Sequence, residues 1–451
     1  MNSITENPLK PDVAPKWRGP SLWRFLRMFH GQNYDIFRLA VQLQREYGDL
    51  VSLPLAIPSY MVSNPADLRH VLVGNPDNYL KIGALVVAKQ LLGEGLVTSE
   101  GPLHHRNRRA MQPMFHRQKI QSFAETMIER TQARMAKWVD GEVVNIADEV
   151  THITLSIISL TLFSIDLDHQ AKELSDAIAV GQDYFADSVT QIKLPILATI
   201  QHRRFLRAVD KINGALGIII RERLQPNAPP KDDLLGMLIE MRFEDGGAMD
   251  EKALRDEIMT LFVAGHETTS AVLTWTLKLL SENPDVEAAF HQELKTVLQG
   301  RPPTLSDIPQ LRLTEKIINE SMRLYPPVWL MARYIIADDQ LPSGLGVKKG
   351  GQILMLNYAA HRNPTFFPDP ERFLPSRFDE KIGLAQSYTP FGAGIRSCVG
   401  EPFARMELVL VLAAICQQFR FRTFGKPTFK RKPLIIMRPK DGIPMQVTRR
   451  S

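Results

Sequence analysis

The segment Phe391 to Gly400, FGAGIRSCVG, sets one cysteine, Cys398, in a glycine-bounded loop just ahead of an apolar helical pattern, FARMELVLVLAAICQQF. A helix N-terminus carries partial positive charge and unpaired N–H groups, Arg396 adds a full charge two residues away, and glycine lets backbone amides approach the sulfur. These conditions favour a thiolate, which serves as a metal ligand or a nucleophile. A second reactive pair lies in Ala264-Gly265-His266-Glu267-Thr268-Thr269, where an acid adjoins an alcohol. Glycine costs about 1 kcal/mol of helix propensity there, and threonine hydroxyls compete for backbone carbonyls, so a weakened turn beside a cofactor would leave room for water or dioxygen. A zinc-protease reading of His266-Glu267 fails, because Ser270 stands where the second histidine is required.

Three further groups carry charge at useful spacing. His104 and Arg108, in HHRNRRAMQPMFH, are i,i+4 neighbours able to grip one anion. Glu320 and Arg323 can pair on one helical face, ahead of Pro370-Glu371-Arg372-Phe373. Arg333 follows an extended apolar run, PPVWLMARY.

The elements that must hold these groups are mainly helical. Asp250 caps a helical periodicity that runs to about Ser281 and stops at Asn283-Pro284, a helix of roughly 50 Å that would cross the whole molecule. A helix ending at Gly48, strands at Leu50–Leu55 and Ser59–Ser63, and a helix starting at Asn64-Pro65 precede a short helix and loop over Ile82–Val97. From Phe123 to Leu224 the pattern is helix after helix, with Tyr184, Phe185, Val189 and the LPILATI run read as pocket-roofing helices and their connection. Alternation around Tyr334–Ile336 and Ile353–Leu356 predicts a hairpin. The proline-rich residues 1–20 read as an extended leader and 21–451 as a single domain, mainly α with a small β-region.

Composition narrows the function classes. With 44% hydrophobic residues over 451, the chain is globular and can enclose a cofactor. A net charge of +6 with no interleaved basic and aromatic array excludes nucleic acid and suits an acidic protein partner. Two cysteines exclude a disulfide framework, and Cys416 reads as a small buried hydrophobe. No signal core and no apolar run of about 18 residues is evident, so a cytoplasmic monomer without a membrane span is expected.

Phe391, Gly394, Arg396, Cys398 and Gly400 reproduce F-x-x-G-x-R-x-C-x-G, and this segment resembles the haem-binding loop of the cytochrome P-450 family. The chain is similar to the soluble bacterial members from about Asp49 to Gln418. The resemblance implies a P-450 fold, with haem b between the long central helix and the helix after the cysteine loop, and Cys398 as axial ligand to iron. It implies His104, Arg108, Arg333 and Arg396 as propionate ligands, with Phe391, Gly394 and Gly400 shaping the loop. Glu267 and Thr268 would deliver protons during cleavage of O2, the co-substrate. Glu320, Arg323 and Arg372 would form a buried structural triad. Ile82, Leu85, Val86, Leu91, Val263, Ala264, Val328 and Leu330 would line the pocket of a lipophilic substrate such as a fatty acid, terpenoid or polyketide. The activity implied is that of a monooxygenase supplied by a ferredoxin or flavodoxin docking near Arg106, Arg109 and Arg405. A peroxygenase, an isomerase or a non-catalytic haem-thiolate sensor on the same fold are the alternatives.

Overall fold

The computed structural model describes residues 17–81, 84–165, 195–425, 431–433 and 436–450, together with 177, 180, 181 and 184. Most of the leader expected over residues 1–20 lies outside them, as do Phe185 and Val189.

Local chemistry explains the first elements. Helix α1 (Leu22–Gly31) starts at Ser21, and α2 (Ile36–Tyr47) starts where Asp35 accepts the Phe37 and Arg38 amides at 2.9 and 3.2 Å. Gly48, at φ 90°, ends α2 in a conformation that costs glycine little. Strands β1 (Leu50–Leu53) and β2 (Ser59–Val62) follow, then α3 (Pro65–Arg69) capped by Asn64, and β3 (Tyr79–Leu80). Helices α4 (Ala84–Leu92), α5 (Gly101–Met111), α6 (Phe123–Met135), α7 (Ile146–Phe163) and α8 (Pro195–Arg223) come next. The LPILATI run, expected as a connection, forms the first turns of α8 from Pro195 onward.

The central helix is α9 (Glu251–Glu282), whose first turn donates the Ala253 amide to Asp250 at 2.7 Å. It stays helical through the expected weak turn. Thr268 and Thr269 donate their hydroxyls to the carbonyls of Ala264 (2.8 Å) and Gly265 (3.1 Å) without breaking it. Gly265 has a packing reason: a Cβ there would lie 2.7 Å from Ile158 Cδ1 on α7, so glycine allows the two helices to close up. Thr154 on α7 also donates to the His266 carbonyl at 3.1 Å. Contrary to the expectation from composition, α7 is long and apolar enough to cross a membrane, but most of it is buried, packed against α9 and α6.

Helices α10 (Arg312–Leu324) and α11 (Glu401–Gln418) complete the helical core against α9, and a mixed sheet lies beside it. Strands β4 (Met331–Ile335) and β5 (Gln352–Met355) pair antiparallel with Arg333 opposite Ile353, which realises the predicted hairpin. The strand order is β1-β2-β5-β4-β3, with β2 parallel to β5. A second, three-stranded sheet joins Val143–Asn145, Pro444–Arg449 and Phe419–Thr423 in that order.

The charged lock beneath the cysteine loop differs from the expected triad. Glu320 and Arg323 are fully buried and bidentate, at 2.7 and 2.8 Å. Arg323 also donates to the carbonyls of His361, Pro370 and Arg372. The Arg372 side chain, however, is exposed and sits 3.6 Å from the exposed Asp369. The third side chain is Arg377, whose Nε lies 3.3 Å from Glu320 Oε1 while its other nitrogen donates to the Asp369 carbonyl at 2.7 Å. The main chain at Arg372 and Leu374 faces the lock, through the Arg372 carbonyl and the Leu374 amide, and leaves the Arg372 side chain outside, so only the later arginine reaches the buried carboxylate.

A second buried acid, Glu407 on α11, has no well-formed hydrogen bond to either oxygen among the described residues, the neighbouring Thr269 hydroxyl donating to the Gly265 carbonyl. Burial pushes its pKa from 4.5 to about 8, with Thr269 opposing the shift slightly.

Two outcomes are expected. Arg377→Ala should cost roughly 2–3 kcal/mol in denaturant unfolding and Arg372→Ala no more than about 0.5; equal losses would restore Arg372 to the lock. Because the folded protein keeps a proton on Glu407 that the unfolded chain releases, stability is lost as pH rises toward about 8. Thermal midpoints measured between about pH 5 and pH 8.5 should therefore fall less steeply in Glu407→Gln than in the parent.

Candidate active site

The loop around Cys398 is held from several sides. The Cys398 amide donates to the Phe391 carbonyl at 2.8 Å, closing the loop on itself. Gly394, at φ 67°, presses against the Leu72 carbonyl oxygen, which a Cβ would strike. Gly400 caps α11 next to the sulfur, where an added Cβ would meet Phe115 and Cys398 Sγ at ordinary van der Waals distance. The Phe391 ring packs on the core under the Arg405 guanidinium, 4.8 Å away.

The thiol is not acidified as the sequence suggested. Cys398 reaches accessible surface, yet the protein around it desolvates the sulfur and raises its pKa. The Gly400 and Glu401 amides and Arg108 pull the other way without prevailing. A side chain that is accessible yet poorly hydrated faces an enclosed space. On α9, Ala264 is exposed and Val263 and Thr268 are half-buried, whereas Leu261, Phe262 and Glu267 beside them are buried. Val263, Ala264 and Thr268 thus form one accessible stripe midway along α9.

The four residues expected to clamp an anion do converge. Arg108 donates to the Ser397 carbonyl (2.6 Å) and hydroxyl (3.0 Å), gripping the residue before the cysteine. Arg396 donates to the Ser99 carbonyl at 2.8 Å and pairs with Glu100. Arg333 is buried, donates to the Ala332 carbonyl at 2.9 Å, and meets no carboxylate within ion-pair distance among the described residues. His104 is buried with Nδ1 unpartnered.

Lys81 and Glu100 join the cluster without any sequence signal, and the Glu100 carboxylate accepts the Lys81 amide at 2.8 Å. Burial first, then mutual repulsion, depresses the cations: His104 to about 3, Lys81 to about 7 and Arg333 to about 10. Five basic groups thus gather about Glu100, and Asp77 also acts on Arg396.

Glu267 sits on the buried side of α9, with Arg438 NH2 2.6 Å from Oε1 but off the line of a hydrogen bond, and with Oε2 unpartnered. Burial raises its pKa and Arg438 opposes the shift. His266 is held at about 4 by burial, its Nδ1 against the Phe262 carbonyl at 2.8 Å. Arg438 comes from a C-terminal strand with no motif, so sequence reading could not find it.

The pocket residues divide. Val263 and Ala264 are accessible on α9, Val328 and Leu330 are half-buried, Leu330 packing toward the Met28 and Leu39 cluster, and Leu91 is buried in the main core. Ile82 lies outside the described residues, and only the backbone of Leu85 and Val86, on α4, is described. The three outer arginines are engaged: Arg106 stacks on Phe243 at 4.1 Å, Arg109 pairs with Glu244 at 2.7 Å, and Arg405 binds Glu401 at 2.8 Å.

The family model for cytochrome P450 matches residues 17–446. Over 389 residues the chain is 36% identical to cyclooctat-9-en-7-ol 5-monooxygenase of Streptomyces melanosporofaciens, covering 83% of each. It is 33% identical over 388 residues to pentalenene oxygenase of Streptomyces avermitilis, covering 83% of this chain and 84% of that one. The crystal structure of the cytochrome P450DA heme domain superposes with a TM-score of 0.87 at 25% identity, over 97% of this chain and 99% of that one. A mainly helical fold around one long helix, an enclosed cysteine at a helix start and a family match over nearly the whole length agree: the chain belongs to the cytochrome P450 family, oxidoreductases that incorporate oxygen from O2.

Proposed function

We propose that the chain is a haem-thiolate monooxygenase in which Cys398 ligates the iron of haem b. His104, Arg108, Arg333 and Arg396 would hold the propionates, and one oxygen atom would enter a lipophilic small molecule. The observation that carries this reading is the convergence beside the enclosed sulfur of Arg108, Arg333, Arg396 and Lys81, all desolvated, with neutral His104 among them and Glu100 as the acid paired to Arg396. Such a cluster favours two added carboxylates, and His104 Nδ1 and the carboxylate-free Arg333 are the groups with capacity to spare. When bound, the haem would activate O2 for insertion into a C–H or C=C bond.

The chain's own residues would manage the protons. Thr268 Oγ1 is on the accessible stripe and can give up the Ala264 carbonyl to hold a proton there. Glu267 Oε2, buried and unpartnered, is the atom able to replenish it, through a rotation away from Arg438 or a bridging water. A lipophilic substrate lying against Val263 and Ala264 would keep bulk water from that hydroxyl, so protons would arrive singly.

Terpenoids are the favoured substrate class, since two relatives are named for cyclooctat-9-en-7-ol and pentalenene, and Val263, Ala264 and Val328 offer apolar surface. The protein would act in the cytoplasm as a monomer. Electrons would come from a separate ferredoxin or flavodoxin, docking on the face that bears Arg106, Arg109 and Arg405. The Arg405 charge is shared with Glu401 and Phe391, so it would steer a partner less than it braces the loop.

The reduced, carbon monoxide-bound protein should give the red-shifted thiolate Soret band, lost in Cys398→Ser while the helical circular dichroism persists; retention of the band would remove Cys398 from the iron. Thr268→Ala should keep haem but raise the fraction of reducing equivalents recovered as hydrogen peroxide by roughly tenfold. Unchanged coupling in that variant would sink the threonine assignment.

A further inference from the structure

We infer that Asp339 and His70 are positioning residues for the Cys398 sulfur, acting through a π-helical turn that backs the cysteine loop; the inference rests on the haem-thiolate reading and deepens it. The turn spans His70–Gly74, directly after α3, and the Asn75 amide donates five residues back to the His70 carbonyl at 2.8 Å. Such turns are rare and concentrate at functional sites. The middle of this one lies against Gly394: the Leu72 carbonyl oxygen occupies the space that a Cβ there would need, and Val73 Cα would be 3.4 Å from it. Ala393 packs into the same small core as Val71, Leu72 and Tyr79. From Gly394 the chain runs four residues to the sulfur, inside the loop closed by the Cys398 amide and the Phe391 carbonyl. A shift of the turn is therefore passed to the sulfur.

One carboxylate oxygen fixes the turn. Asp339 Oδ2 accepts from His70 Nε2 at 2.8 Å, from Asn75 Nδ2 at 3.0 Å and from the Tyr79 hydroxyl at 2.8 Å. It thus grips the first residue of the turn, the residue after its end, and β3. Burial works to raise the Asp339 pKa, but the bonds from His70, Tyr79 and Asn75 prevail and hold it at about 2. An ionised carboxylate only accepts, so His70 carries its proton on Nε2.

The same segment is tied to the basic cluster. Asn78 bonds the Ala337 amide (2.8 Å) and carbonyl (3.1 Å) with its side chain, and its own carbonyl accepts the Ile336 amide at 3.0 Å, just beyond the strand that carries Arg333. Asp77 acts on Arg396, and Lys81 follows β3. Three donors converging on one ionised oxygen specify an orientation, because a half-made set leaves charge desolvated.

The test follows how fast the haem-loaded full chain, reduced and bound to carbon monoxide, loses its thiolate Soret band to the shorter-wavelength band of a protonated thiol in dilute urea. The conversion should run about tenfold faster than in the parent in Asp339→Ala and about fivefold faster in His70→Ala. The ferric low-spin electron paramagnetic resonance signal of Asp339→Ala should also move, since it reports the bond between sulfur and iron. Asp338→Ala should keep the parent rate, because that exposed neighbour binds Lys348 and the Lys349 amide instead of the turn. Parent rates and a parent resonance signal in Asp339→Ala and His70→Ala would overturn the inference. So would equal acceleration in Asp338→Ala or in Ile220→Ala, a core truncation on α8, because the network would then be general support. Where Asp339→Ala does not load haem, Tyr79→Phe removes one donor and keeps the ring; it should convert about threefold faster, and the parent rate there would count against the network equally. A parent without the thiolate band would instead remove the haem-thiolate reading itself.

Discussion

A cysteine at the start of a helix holds its sulfur in one place only if the loop before it cannot move, and most of this molecule contributes to that restraint. Arg108 seizes both the carbonyl and hydroxyl of Ser397, Arg396 reaches to Ser99 and Glu100, and Gly394 is wedged on the Leu72 carbonyl. Beneath, the Glu320–Arg323 pair binds the main chain at His361, Pro370 and Arg372, fixing the segment that leads into the loop. Ion pairs this deep add little net stability over an apolar replacement, but they specify one geometry and are costly to leave half-made.

That restraint brings an electrostatic burden. The arginines that position the loop also repel one another and Lys81, and each is partly stripped of water. Glu100 relieves the cluster at one point only. The acids on the other side are held in the opposite condition: Glu267 is raised by burial with Arg438 as a partial counterweight, and Glu407 has no counterweight of charge at all. The core thus gathers basic groups around the cysteine loop and, apart from them, holds two carboxyls whose proton affinity burial raises.

Local rules made much of this legible. The caps at Asp35, Asn64 and Asp250, the stop at Gly48 and the alternation around Arg333 depend on neighbours in sequence, and each element appears where those neighbours place it. The five fixed positions of the cysteine loop were readable for the same reason. Arg372 was taken from the match at 370–373, but Arg377 stands in a second P-x-R-F frame at 375–378, and only the fold shows which side chain reaches Glu320. Glu100 and Arg438 act through partners far away in sequence, with no periodicity to reveal the pairing, and Glu407 stands out only by its burial. The acidity of Cys398 was misjudged because burial is a property of the whole fold, and here it outweighs a helix terminus.

The bonds that fasten the cysteine loop span long stretches of chain: 289 residues between Arg108 and Ser397, and 297 between Arg396 and Ser99. Closing such intervals costs entropy before any contact returns it, so they form late, after the local helices and hairpins have shortened the effective path. The loop is thus assembled last, onto a scaffold already built. During synthesis the helices up to α10 can condense before residue 398 leaves the ribosome, so Cys398 and α11 arrive at walls that already exist.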